Sequence, residues 1–278
     1  MKRADRKVVF ELLRRIEQEG STGLVQLLDN AQQPLGHVMV AGGRLCYAAP
    51  REGHARIGEL LAKGNPVFEL RIAKAVRDAK ARGVRLCEAL LEAGMLNLDA
   101  IRAGLREQTS HALLAMTSSC PAGWTPAMDL TPARDDYDRR LTFSAIDIFL
   151  AISQALDTAP PDGAARVYEE FAASSEGALL LVRGTGEASL PLPVAARGLE
   201  ETSLSQVVKI ARAAADMSRP APLAKAGIEP RVIVFSGRGG VWVGATTRYR
   251  IALIRTNPQY DAGQVVGLAL RFCRQDDA

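Results

Sequence analysis

The chain has 278 residues, 47% of them apolar and 24% charged, and its 35 Lys/Arg against 31 Asp/Glu give a formal charge of +4. That length suits two domains, and that balance can build a real core, which excludes a disordered or low-complexity chain. No apolar run approaches the ~18 residues of a membrane span, and four scattered cysteines without a CxxC exclude a disulfide framework.

Cys46, Cys87, Cys120 and Cys273 read as buried free thiols. His37, His54 and His111 are equally far apart, and zinc needs about four closely spaced ligands, so no metal site is expected. The charge is uneven: residues 1–140 hold 21 Lys/Arg against 17 Asp/Glu, whereas residues 141–278 hold 14 of each. The excess lies in the N-terminal helix (Lys2, Arg3, Arg6, Lys7, Arg14, Arg15) and in Arg71, Lys74, Arg77, Lys80, Arg82 and Arg85. Such patches bind phosphate backbones or acidic membrane surfaces, or simply solvate a helix face.

Val8, Val9, Leu12, Leu13 and Ile16 recur at helical spacing over residues 5–19, and Gly20 ends the helix. Without an apolar signal core, this start reads as an amphipathic helix of a cytoplasmic protein. "TGLVQLLD", "LGHVMVA" and "GRLCYAA" are predicted strands, and Gly42-Gly43 between the last two is a hairpin turn. Helices follow over 55–63 and 68–81. Leu86, Ala89, Leu90 and Ala93 then form one apolar face, and Leu98, Ile101, Leu105, Ala112 and Met116 another, with Asn97 as the second helix's N-cap. "AGWTPAMDL" adds a strand. The charged "TPARDDYDRR" (131–140) reads as a linker, a helix follows over 141–156, and "DTAPPDG" closes that region. The expected division is therefore 1–130, a linker with a helix over 131–162, and 163–278.

From residue 163 the predicted order is α-β-β-α-β-β-β-α. The strands are "GALLLVRG", "EASLPLPVA", "RVIVFS", "GVWVGATT" and "YRIALIRT", and the last three are joined by short turns, hence antiparallel. "VIVF" and "IALI" are continuously apolar, as strands covered on both faces would be. The helix between the second and third strands carries Leu204, Val207, Val208, Ala211, Ala214 and Ala215 on one face. The fold class is thus α+β: a small hairpin with helices, then a five-stranded antiparallel sheet sandwiched by helices.

Catalytic signals are thin. A phosphate loop leads from a strand into a helix N-terminus, but Gly42-Gly43 and Gly239-Gly240 each lead into another strand. There is no GxxxxGK[ST], GxGxxG or GxSxG. Asp135, Asp136 and Asp138 belong to the charged linker. No catalytic residue, cofactor or enzyme activity is expected.

"GALLLVRGTGEASLPL", the meander "RVIVFSGRGGVWVGATTRYRIALIRTN" and the final "DAGQVVGLALRFC" resemble the roadblock (dynein-light-chain-like) family over about 115 residues. Thr185-Gly186 stands at the opening turn where that family usually has Asp. "GSTGLVQLLDNAQQPLGHVMVAGGRLCYAAP", "RIGELLAKGNPVFEL" and "LCEALLEAGMLNLDAIRAGLREQ" are similar to the bacterial PATAN-like domain over roughly residues 10–130. The resemblance implies a homodimer formed through the central helix and often an edge strand, with Leu204, Val207, Val208, Ala211, Ala214 and Ala215 as the interface. It implies a non-enzymatic adaptor or regulator in a bacterial signalling or motility complex, acting with a small Ras-like GTPase. Arg183, Arg238, Arg248 and Arg250 are its arginine-finger candidates. The alternative is nucleic-acid binding through the basic helices near 2–15 and 71–85.

Overall fold

The computed structural model describes residues 6–52, 57–62, 64–118, 126–133, 137–156, 163–173, 175–182, 192–199, 202–217, 232–237, 240–247, 250–256 and 262–276. The chain divides into two compact units, Met1–Ile152 and Ser153–Ala278.

In the first unit, α1 (Arg6–Glu19) buries Val8, Val9, Phe10, Leu12, Leu13 and Ile16, the stripe its periodicity predicts. β1 (Gly23–Leu28), β2 (Pro34–Ala41), β3 (Arg44–Pro50) and β4 (Ala127–Pro132) form one antiparallel sheet in the order β3-β2-β1-β4. The predicted hairpin is therefore the β2–β3 part of a larger sheet. Its turn is the Gly42-Gly43 pair at φ 55° and 75°, joining Ala41 to its partner Arg44. Positive φ at both turn positions is what a type I′ turn needs, and glycine supplies it without steric cost.

Four helices follow: α2 (Ile57–Ala62), α3 (Pro66–Arg82), α4 (Leu86–Glu92) and α5 (Leu98–Ser118). The side chain of Asn65 caps α3 by accepting from the Val67 and Phe68 N–H groups at 3.1 and 3.2 Å. At the other end Gly83 (φ 66°) lets Val84 N–H reach Ala79 O at 3.0 Å, a Schellman closure. Asn97 caps α5 as predicted, accepting from Ala100 N–H at 2.8 Å. α5 packs on β3 and α2.

The segment expected as a linker, 131–162, is folded onto the first unit over much of its described length. β4 runs to Pro132 on the free edge of β1. Phe143 exchanges two backbone hydrogen bonds with Leu45, at 2.8 and 2.9 Å. The Arg102 guanidinium lies 5.0 Å from the Phe143 ring centroid and donates to Arg140 O at 2.6 Å. In α6 (Ala145–Leu156), Phe149 meets Phe10 edge-on, centroids 5.1 Å apart. The division between the units falls inside α6, between Ile152 and Ser153. The charges of 138–140 are spent locally, Arg140 on Asp138 at 2.7 Å, while Phe143 and Phe149 supply the anchoring.

The second unit follows the predicted order: α7 (Gly163–Ala173), β5 (Gly177–Val182), β6 (Leu192–Arg197), α8 (Leu204–Met217), β7 (Val232–Gly237), β8 (Gly240–Thr246), β9 (Arg250–Arg255) and α9 (Ala262–Asp276). Its sheet is antiparallel throughout, in the order β6-β5-β9-β8-β7. Strand alternation sends Ala178, Leu180, Val243, Ala245, Ala252 and Ile254 to one face, where Val167, Tyr168 and Ala172 of α7 and Val265, Ala269 and Phe272 of α9 complete a core. The alternate residues Leu179, Leu181, Ile251 and Leu253 are buried as well. Ser203 and Gln206 open α8 with a reciprocal capping box.

One strand departs from expectation. "IALI" in β9 is buried throughout, but "VIVF" forms β7, which lies at the edge of the sheet, and its Val234 is 59% exposed. A run of apolar residues cannot distinguish a central strand from an edge strand, because pairing order decides that.

Candidate functional site

Three features of the described residues have functional content: the surface of β7 and α8, the basic face of α3, and a cavity in the first unit.

β7 is the last strand of its sheet, and among the described residues no strand pairs with its outer backbone N–H and C=O groups. Val234 (59% exposed) pairs with Val243, and Val241 (42% exposed) pairs with Ser236, so the two valines are diagonal neighbours on one face of the edge hairpin. The helix face expected to hold a second copy is largely used by the chain itself. Leu204, Val207 and Ala211 are buried and Val208 is half-buried. The side chains of Ala214 and Ala215 lie outside the described residues. α8 exposes Gln206, Lys209, Arg212 and Ala213 instead. Of the arginine candidates, Arg183, Arg238 and Arg248 lie outside the described residues, as do the turns Gly184–Gly186 and Arg238-Gly239. Arg250 is half-buried, and its backbone N–H is bound by Thr247 Oγ1 at 2.9 Å.

α3 buries only Ile72, Ala75 and Ala79, leaving Arg71, Lys74, Arg77, Lys80 and Arg82 exposed with Val67 and Leu70. Arg82 is paired with Glu92. In α1, Arg14 is held by Glu11 at 2.7 Å and Arg15 donates to Pro126 O at 3.2 Å. Lys2 and Arg3 lie outside the described residues.

The cavity, about 470 Å³, sits among β3, α2, α4, α5 and the 137–141 segment. Ile57, Leu86, Leu105 and Leu141 give it apolar walls. At its polar end the Arg85 guanidinium lies 3.7 Å from the Tyr137 ring centroid, and Glu88 holds the same guanidinium at 3.4 Å. Burial raises the Tyr47 hydroxyl pKa, and the neighbouring Cys46 adds to this; Arg85 and a hydrogen bond with Tyr137 oppose it. Tyr137 is pushed up to about 12, first by burial and then by Tyr47. The Cys87 thiol, also in the wall, is pushed up to about 11 by burial, with the Glu88 charge adding to it. Both tyrosines and the thiol therefore stay neutral at ordinary pH. Asp138 is held below the usual carboxylate range by its hydrogen bond from Arg140.

Cys46 and Cys273 are buried free thiols, Cys87 is half-buried, and Cys120 lies outside the described residues, as does His54. Among the described residues no cluster of three His, Cys, Asp or Glu could hold a metal, and no helix is long and apolar enough to cross a membrane. Sequence reasoning missed the cavity, although one signal was present. Gln108 occupies a buried position of the α5 stripe between Leu105 and Ala112, where an apolar residue would ordinarily stand.

The chain matches no protein-family model and no curated protein.

Proposed function

We propose that the chain is a non-enzymatic adaptor or regulator that works as a homodimer in a bacterial signalling or motility complex, with a small Ras-like GTPase as one partner. The observation that carries this reading is the β7 edge, which no described strand covers. An exposed apolar edge strand is a template for pairing, and soluble proteins normally blunt such edges with charge, proline or a cover. Val234 and Val241 are instead exposed side by side. Two copies meeting edge to edge about a two-fold axis would satisfy both backbones and hide both valine pairs, the self-complementary contact of a symmetric dimer. The helix-strand order of 163–278 and its likeness to roadblock proteins support the same reading, as do the PATAN-like patterns of the first unit for a signalling context.

The test is light scattering on the full chain at tens of micromolar. A mass near twice the 29.8 kDa of one chain supports the reading, and the single-chain mass overturns it. Pull-downs with GTPases encoded beside the gene, loaded with either nucleotide, test the partner. Failure in both states removes that branch and leaves the dimer standing.

The exposed basic run on α3 favours a second reading, nucleic-acid binding. It requires affinity that falls steeply with salt, roughly as the number of phosphates neutralised. Binding that is indifferent to salt, or absent, excludes it.

A further inference from the structure

We propose that the cavity of the first unit is a binding site for a small, uncharged, flat molecule that presents a hydrogen-bond donor and acceptor side by side, as a purine base or a lactam does. The inference concerns the first unit alone and is independent of dimerisation.

The first observation is size. About 470 Å³ lies within the 300–1,000 Å³ or so typical of small-molecule sites and far exceeds the room one trapped water needs.

The second observation is Gln108. It lines the cavity from α5, is only 9% exposed, and no side-chain hydrogen bond to a described residue occupies its amide. The amide opens on the cavity, where a ligand replaces the water that otherwise meets it. That amide is one acceptor beside one donor. A molecule with the complementary pair on one edge meets both, which is how glutamine reads an adenine edge. A lone acceptor or donor would leave half of the amide unmet.

The third observation is charge. Arg85 has Glu88 at 3.4 Å, and Asp138 has Arg140 at 2.7 Å, so among the described residues each charge in the wall already faces its opposite. A net charge on the ligand would enter this partly dry space without a counter-charge, which is costly. The Tyr47 and Tyr137 rings, with the guanidinium stacked on one of them, favour a flat ligand whose face lies along theirs.

The experiment is calorimetry of the full chain with adenine, hypoxanthine and 2-pyridone as neutral flat probes and benzoate as the charged flat control. The isosteric variant Gln108→Met accompanies each titration. At least one neutral probe is expected to bind, benzoate is not, and Gln108→Met is expected to weaken binding by about tenfold or more, the worth of one bidentate amide contact. The Gln108 side-chain amide resonance of the wild-type protein should shift on titration, a readout that does not depend on how the variant folds. The proposal is overturned if benzoate binds more tightly than the neutral probes, if Gln108→Met binds as well as wild type, or if no neutral probe binds at about 5 mM, the weak end of specific affinity.

Discussion

Replacing Phe149 by alanine asks whether the 137–152 segment belongs to the core of the first unit or merely leads out of it. Phe149 is 0% exposed and Phe10 is 1% exposed, and their rings meet at 5.1 Å and 75°, a T-shaped pair. Truncating a fully buried phenylalanine costs about 3–5 kcal/mol through lost transfer energy and the cavity left behind. That is a large part of the roughly 5–15 kcal/mol that holds a typical domain together. The edge-to-face geometry itself contributes about 0.5–1.5 kcal/mol, measurable as the coupling in a double-mutant cycle of Phe10→Leu and Phe149→Leu. Urea unfolding followed by circular dichroism gives the total, and amide exchange at α1 and β3 shows where it acts. Protection should fall in both, since Phe10 sits on α1 and Phe143 bridges to Leu45 of β3. A loss below about 0.5 kcal/mol for Phe149→Ala, the range of surface substitutions, would refute the reasoning and return α6 to the role of a linker.

Three further predictions concern the same unit. A Cβ on Gly36 would overlap the backbone oxygen of Ala49 and Met116 Sδ, whereas one on Gly42 would meet nothing within 4 Å. Gly36→Ala should therefore cost about 1–3 kcal/mol or more by overpacking. Gly42→Asn should be nearly neutral, since asparagine tolerates the left-handed turn; equal losses at the two sites, read as thermal midpoints, would contradict this. Cys87 should be a sluggish nucleophile. Raising its pKa from 9.0 to about 11 leaves about a hundredfold less thiolate at pH 8, so alkylation should be slower than that of a free thiol by about that factor. The sign of the linked stability follows from the same shift. The folded pKa is the higher one, so the contribution is complete below pH 9.0 and is lost as pH rises towards about 11. Cys87→Ala should flatten that alkaline decline, and an unchanged pH profile would count against the burial assigned to Cys87.

Much of the fold was legible because its signals are local. The α1 stripe, the Gly42-Gly43 turn, the Asn97 cap and the order of elements after residue 163 each depend on residues a few positions apart. What was not legible depends on pairing at a distance. β4 joins β1 across about a hundred residues, and no local pattern in "PAMDL" announces that register. The charges of 138–140 read as a solvated linker, yet Asp138 and Arg140 satisfy each other, while the anchoring falls to Phe143 and Phe149 further on. β7 and β9 have equally apolar sequences, yet one is an edge and the other central. The α8 stripe illustrates the same limit: periodicity picks out its apolar face but not whether the chain or a second copy covers it. For Leu204, Val207 and Ala211 the chain does. At the cavity, only Gln108 carried a signal, a polar residue out of place on an apolar stripe, while the stacking of Arg85 on Tyr137 joins residues about fifty positions apart.

Sedimentation equilibrium of the full chain beside its Val234→Lys variant tests the pairing of β7 edges most directly, with Leu70→Lys on the exposed face of α3 as the control. A lysine at the open edge should raise the dimer dissociation constant about a hundredfold or more, since it sets two like charges together and buries them in an apolar contact, and the control should leave it unchanged. A wild-type chain that sediments as a monomer, or a Val234→Lys variant that dimerises as tightly as wild type, would contradict the account.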